Sequence, residues 1–321
     1  MDASIGLGDC LDFNIPTANL IMTSPPYADR RKTTYGGIKP NDYVEWFKPY
    51  GEKFYETLAD DGSMVINIKE NVVDGTRHPY VYDLVRMLTQ EQGWRLVDEY
   101  IWVKTTTTPG KWPNRFRDQW ERLYHFTKNK KFAMYQDEVM VPAGDWKKTR
   151  MKNLSDKDKQ RQSSSTGSGF GKNISNWKNR DMVYPSNVLT GSPVTYNVGH
   201  SAAYPLWLPE FFIKLFTKEK DMVIDPFAGS GSTLIAANRL GRNSYGIDTQ
   251  KLCLFREVLS VKILCIGVGV HMPVFSVRKH RKLHHKRLPI CIHAIEYNII
   301  LRVLLISSGI HDADKLCLVI R

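Results

Sequence analysis

Five consecutive residues, Thr23-Ser24-Pro25-Pro26-Tyr27, bring a hydroxyl, a rigid run of carbonyls and an aromatic ring together after the apolar run Leu20-Ile21-Met22. Two prolines in succession remove two backbone donors and fix two φ angles, so this loop is expected to be stiff, its carbonyls pointing out without partners in the chain. That set suits an exocyclic amine on a flat base. Ser24 Oγ and the Pro25 carbonyl would accept its two hydrogens, and Tyr27 would stack on the ring. The same residues also read as an ordinary turn with a packing tyrosine, and a second stretch decides between the two.

That stretch is Asp225-Pro226-Phe227-Ala228-Gly229-Ser230-Gly231-Ser232-Thr233. It follows a short buried-strand pattern, Met222-Val223-Ile224, and precedes a helix pattern, Leu234 to Leu240, closed by Gly241. Strand, glycine loop and helix form the geometry that lays a ligand over a helix N-terminus. A phosphate loop would carry Lys beside the last Ser/Thr, and a dinucleotide loop would read GxGxxG. This loop does neither. Asp225 would repel phosphate and suits an ammonium or sulfonium instead. The next strand pattern, Asn243 to Asp248, ends in an acid about twenty residues after the glycines, the place from which a carboxylate holds ribose hydroxyls. Together these fit S-adenosylmethionine, with Asp225, Pro226, Phe227, Ala228, Gly229, Ser230, Gly231, Ser232 and Asp248 as its binding residues.

In motif and motif order the chain resembles the DNA amino-methyltransferases of the permuted (beta) group, in which the catalytic loop precedes the cofactor loop. Ser24-Pro25-Pro26-Tyr27 matches that family's catalytic motif, and Asp225 to Ser230 matches its cofactor motif. Gly8-Asp9-Cys10, Trp102-Val103-Lys104, Trp120 to Lys128, Ser186 to Leu189 and His200 to Pro205 resemble further family segments, so the likeness spans roughly 5–250. The resemblance implies a Rossmann-like α/β fold, a catalytic role for Ser24, Pro25, Pro26 and Tyr27, and His200 beside the cofactor. It also implies double-stranded DNA as substrate and a restriction endonuclease as functional partner. Family loops with Asp at the Ser24 position lean to adenine N6, and those with Ser lean to cytosine N4. The expected activity is therefore N4-cytosine methylation, with N6-adenine methylation and a cofactor- or DNA-binding pseudoenzyme as alternatives.

The chemistry agrees with those residues. The N4 amine shares its lone pair with the ring and is a poor nucleophile. Hydrogen bonds to Ser24 and Pro25 would favour a pyramidal nitrogen aimed at the methyl sulfonium, which is catalysis by positioning and electrostatics. Tyr27 would stack on a base flipped from the duplex. Cys10 lacks the Pro-Cys context of a ring-carbon methylase.

The chain has 321 residues, 42% of them apolar, and a net charge of +12. The charge is concentrated: 18 Lys/Arg stand against 7 Asp/Glu between Lys104 and Arg180, and 12 against 4 over 251–321, while the remainder is acidic. A basic middle in a catalytic domain reads as phosphate-facing. Arg30, Arg31 and Lys32, just after the catalytic loop, and Arg150, Lys152, Arg161 and Arg180 are the candidate DNA contacts, more as phosphate clamps than as base readers. Trp146 to Arg180 is rich in Lys, Ser, Gly and Asn and is expected to order on DNA. Five cysteines with no CxxC pair point to a reducing, cytoplasmic setting without structural zinc. No signal peptide and no membrane-length apolar run is read.

The scaffold that must hold these loops reads as alternating strands and helices, an open α/β sheet with helices on both faces. Helices are expected over 42–59, where Asp42 and Glu45 look like a capping box, over 79–92 and over 205–217. Strands are expected over 63–68, 101–104 and 123–127. The expected domains are a catalytic half (1–140), a flexible basic target-recognition insertion (141–190), a cofactor half (191–260) and an atypical tail (261–321). The tail surrounds the basic knot Arg278 to Arg287 with unpatterned apolar runs, as a shifted reading frame would. His280, His284 and His285 share no spacing with a carboxylate or Cys, so no metal site is read there.

Overall fold

The computed structural model describes residues 2–29, 37–107, 109–152, 180–194, 204–249 and 316–320. Its strands and helices alternate as the sequence predicts. In chain order they are β1 (Ala3–Leu7), β2 (Ala18–Thr23), α1 (Tyr43–Thr57), β3 (Leu58–Ile68) and the small hairpin β4 (Val72–Val73) and β5 (Thr76–Arg77). Then come α2 (Tyr80–Gln90), β6 (Arg95–Lys104), β7 (Trp120–Thr127), β8 (Val141–Pro142), α3 (Asp145–Lys152), β9 (Met182–Val183) and β10 (Val188–Gly191). The last are α4 (Trp207–Phe216), β11 (Met222–Asp225), α5 (Ser232–Arg239), β12 (Asn243–Asp248) and β13 (Leu316–Ile320).

Nine strands form one sheet in the order β10-β6-β7-β3-β2-β11-β12-β1-β13. Among these nine, β7 and β13 run against the rest. The carboxyl ends of β2, β3, β6, β11 and β12 therefore share one edge. In such open sheets ligands bind outside that edge. Within the basic and apolar tail, Leu316–Ile320 pairs antiparallel with β1; 250–315 lie outside the described residues.

Period-two alternation sends neighbouring side chains of the central strands to opposite layers. Ile21, Met64 and Ile66 join one core with α1 and α2, while Leu20, Met22 and Val65 join another with α4 and α5. Tyr43, Phe47, Tyr50 and Phe54 recur down one side of α1 and are all buried. Fully burying such a side chain is worth about 1.5–3 kcal/mol, so this stripe alone ties α1 to the sheet.

Element boundaries differ from the sequence reading in instructive ways. Asp42 makes no side-chain cap, because Pro40–Asp42 forms a 3-10 turn that runs straight into α1. α1 stops at Thr57, and β3 begins five residues earlier than expected because Leu58 already pairs with Ala18. α2 fits closely, with Pro79 at its N-cap and Gly93, at φ +78°, just beyond its end.

Candidate active site

The loop after β2 leaves the sheet at Thr23, which is fully buried. Beyond it Ser24, Pro26 and Tyr27 are partly buried and Pro25 is buried. One expectation fails here. The Pro26 carbonyl is not free, because Tyr43 on α1 donates a 2.8 Å hydrogen bond to it. Tyr80 on α2 ties down the next turn, accepting from the Ala28 amide at 3.4 Å and donating to the Lys69 carbonyl at 2.5 Å. No hydrogen bond to the Pro25 carbonyl occurs among the described residues. Of the two proline carbonyls, one is structural and the other stays open to a ligand.

Tyr27 is held by more than packing. Its phenol donates a 3.0 Å hydrogen bond to Glu121 Oε2 and accepts a long one, 3.5 Å, from Ser24 Oγ. Burial first, and then the charge of Glu121, push the phenol well above its usual range, so it stays a protonated donor. Glu121 sits on β7 and also accepts from Asn67 on β3 at 3.1 Å and from the Lys104 ammonium on β6. Burial opposes its charge, but Lys104, together with the bonds from Lys104 and Asn67, holds the carboxyl below the usual range. A buried anion with three donors is fully used, and it fixes where the Tyr27 ring stands. Sequence reasoning named Glu121 only as part of a family-like strand. The available signal was an acid on the same strand face as Leu123, His125 and Thr127, all of which are buried.

The glycine loop follows β11. Gly229 and Gly231 take φ +53° and +75°, a conformation that disfavours side chains, and Gly231 leads directly into α5. On β12 beneath the loop, a Cβ at Gly246 would stand 2.7 Å from Leu234 and 3.1 Å from Ala228, so only glycine lets loop and strand approach. Phe227 packs on the α1 aromatics, 5.3 Å from Tyr50 and 6.1 Å from Trp46.

The two acids of this region are placed differently from what their motifs suggest. Asp225 does not offer its carboxylate to a cationic ligand. It is 2% exposed, and its oxygens accept from Thr23 Oγ1 (2.7 Å), Phe227 N (3.2 Å), Thr233 Oγ1 (2.5 Å) and Tyr204 OH (3.1 Å). Burial pushes its carboxyl up to about 6 despite those four donors. Asp248 ends β12 beside the loop, and its Oδ2 accepts from the Gly229 amide at 2.7 Å. Its own carbonyl accepts from Gly8 N at 3.0 Å, which joins the ends of β12 and β1. Ser230 and Ser232, with hydroxyls 3.4 Å apart, lie at the mouth of the loop.

Of the candidate DNA contacts, Lys152 is exposed at the end of α3 and Arg180 is exposed before β9, while Arg150 lies within α3. Arg30, Arg31, Lys32, Arg161 and His200 fall outside the described residues. Among the described residues no cluster of His, Cys, Asp or Glu could hold a metal ion, and no helix is long and apolar enough to cross a membrane.

Comparison with known proteins points the same way as the geometry. The profile of the N6/N4 methyltransferases, described as DNA methylase, matches residues 18–254. The type II methyltransferase M.PvuII of Proteus hauseri is 30% identical over 269 residues, covering 75% of this chain and 78% of that protein. M.BglII of Bacillus subtilis is 25% identical over 251 residues, covering 75% and 62%. In fold, the solved structure of the PvuII DNA methyltransferase (cytosine-N4-specific) superposes with a TM-score of 0.60 at 23% identity, covering 83% of this chain and 91% of that one. A DNA modification methylase of Thermus thermophilus, solved with S-adenosyl-L-methionine, gives 0.51 at 21% identity, covering 84% and 98%.

Proposed function

The chain belongs to the N6/N4 DNA methylase family, and from that premise we propose that it methylates the exocyclic N4 amine of cytosine at a specific site in double-stranded DNA. The observation that carries this reading is the Thr23–Asp225 hydrogen bond, which sets the Ser24 loop and the glycine loop at neighbouring strand ends. Support for cytosine comes from Ser24 and from the 30% identity to M.PvuII, a protein whose structure is titled cytosine-N4-specific.

The residues fit S-adenosylmethionine. Two left-handed glycines bring loop backbone close to a ligand, and Asp248 stands at the strand end from which ribose hydroxyls are held. Bound there, the cofactor supplies an electrophilic methyl group on a sulfonium. Ser24 Oγ and the Pro25 carbonyl accept the two amine hydrogens and turn the nitrogen lone pair out of the ring plane. Tyr27, fixed by Glu121, presents its ring to the base. Asp225 holds the two loops in register and touches neither substrate. Basic residues after the catalytic loop and in the middle segment grip the phosphates, and a restriction endonuclease of the same specificity is the functional partner.

DNA from cells making the protein should carry N4-methylcytosine at one short sequence when read by methylation-sensitive sequencing. An unmethylated genome, alongside folded protein in the same cells, would refute the reading.

A further inference from the structure

Phe116 is 95% exposed, whereas Phe47, Phe54, Phe126, Phe212 and Phe216 are buried. It stands in the loop joining β6 to β7, between Arg115 and Arg117, with Lys111 and Trp112 also exposed. An aromatic ring in water gains nothing from folding, so its display calls for an occupant.

The loop is not slack. At its base the Lys104 amide donates to the Gln119 carbonyl at 2.8 Å, and Gln119 Nε2 donates back to the Lys104 carbonyl at 3.1 Å. Asp118 is paired with Lys69 at 3.1 Å and with Arg77, and Asn114 donates to the Gly75 carbonyl at 2.7 Å. The Arg115 guanidinium lies 4.6 Å over the Trp112 ring. Phe116 is therefore held out by a braced, positively charged finger. Because β6 runs with β2 and β11, the finger rises from the edge that carries Ser24 and the glycine loop. Its root is the Lys104–Glu121 pair that fixes Tyr27.

The geometry points to Phe116 as the wedge that enters the duplex where the target base leaves it. This rests on the DNA-methylation reading above. Apolar side chains inserted between base steps unstack them, and a finger already ordered loses little freedom on insertion. Lys111 and Arg117 on either side meet the phosphates, so charge and ring together fit duplex DNA rather than an apolar protein face.

The test compares two duplexes containing the recognition sequence read by sequencing. One carries the target base paired, and the other carries it opposite an abasic site, where flipping is already easy. Wild type is expected to methylate both at similar rates. Phe116→Ala should be slowed roughly tenfold or more on the paired duplex and restored on the unpaired one, because only the first requires help to open. Phe116→Trp, which keeps a stacking ring, should stay near wild type on both. Equal rates for Phe116→Ala and wild type on both duplexes, or equal slowing on both, would overturn the wedge. Wild-type protein inactive on both would instead overturn the DNA-methylation reading, and the wedge with it.

Discussion

Thr23 Oγ1 donates a 2.7 Å hydrogen bond to Asp225 Oδ1, joining the last residues of β2 and β11 across 202 positions of sequence. Asp225 gathers Thr233 of α5, Tyr204 and the Phe227 amide around the same carboxylate. The acid of the glycine motif is thus a junction between catalytic and cofactor loops. A buried anion with four donors is costly to disturb, because each lost donor leaves charge less well compensated.

Thr23→Val should therefore destabilise the protein by about 1.5–3 kcal/mol, the range for a hydrogen bond to a charged group. Urea unfolding should show a lower midpoint with an unchanged slope. Thr23→Ser, which keeps the donor, should recover most of the loss.

Ser24→Ala and Asp248→Ala should separate chemistry from binding. The first removes an amine acceptor and should abolish transfer while leaving cofactor affinity intact by calorimetry. The second removes the acceptor of the Gly229 amide and the strand-end acid. It should weaken cofactor binding roughly tenfold or more, about 1.4 kcal/mol per tenfold. Full turnover by Ser24→Ala would break the proposed mechanism.

Tyr27 and Glu121 should behave as one unit. In a double-mutant cycle of Tyr27→Phe and Glu121→Gln, kcat/KM should show a coupling of about 1.5–3 kcal/mol, as befits a charged hydrogen bond. Additive effects would mean that the 3.0 Å contact does not orient the ring in the working enzyme.

Acid should destabilise the fold through His125. This ring is buried against Phe216, with centroids 4.3 Å apart, and its Nε2 lies 2.9 Å from Ser63 Oγ. Burial pulls its pKa down to about 3. The folded protein keeps the ring neutral while the unfolded chain protonates it below its ordinary value, so stability falls as pH drops from about 6.5 toward about 3. His125→Phe should flatten that slope by up to about 1.4 kcal/mol per pH unit in chemical denaturation between about pH 6 and about pH 4. A slope unchanged by the substitution would place the acid sensitivity elsewhere.

Strand-end chemistry is the part of this protein most legible in sequence. Leu20 to Met22 and Met222 to Ile224 are apolar runs cut off by Pro-Pro and by a glycine loop, and a parallel sheet puts both breaks on one edge. Partnerships across the sheet are not legible. Glu121 meets Tyr27, Asn67 and Lys104 only because β7 lies between β3 and β6, and no local spacing encodes that order. The Pro26 carbonyl reads as open in sequence because nothing nearby donates, yet Tyr43 reaches it from α1. Asp225 reads as facing a ligand because its motif does, whereas Thr23, Thr233 and Tyr204 converge on it from three other segments. Asp42 fails as a cap because the turn before it already has helical geometry.

The most direct measurement is the identity of the product. Purified protein is incubated with methyl-labelled S-adenosylmethionine and unmethylated duplex DNA, and the DNA is digested to nucleosides. The account predicts label in N4-methyldeoxycytidine alone, and none with Ser24→Ala. Label in N6-methyldeoxyadenosine, or none in any nucleoside from protein that binds the cofactor, would contradict it.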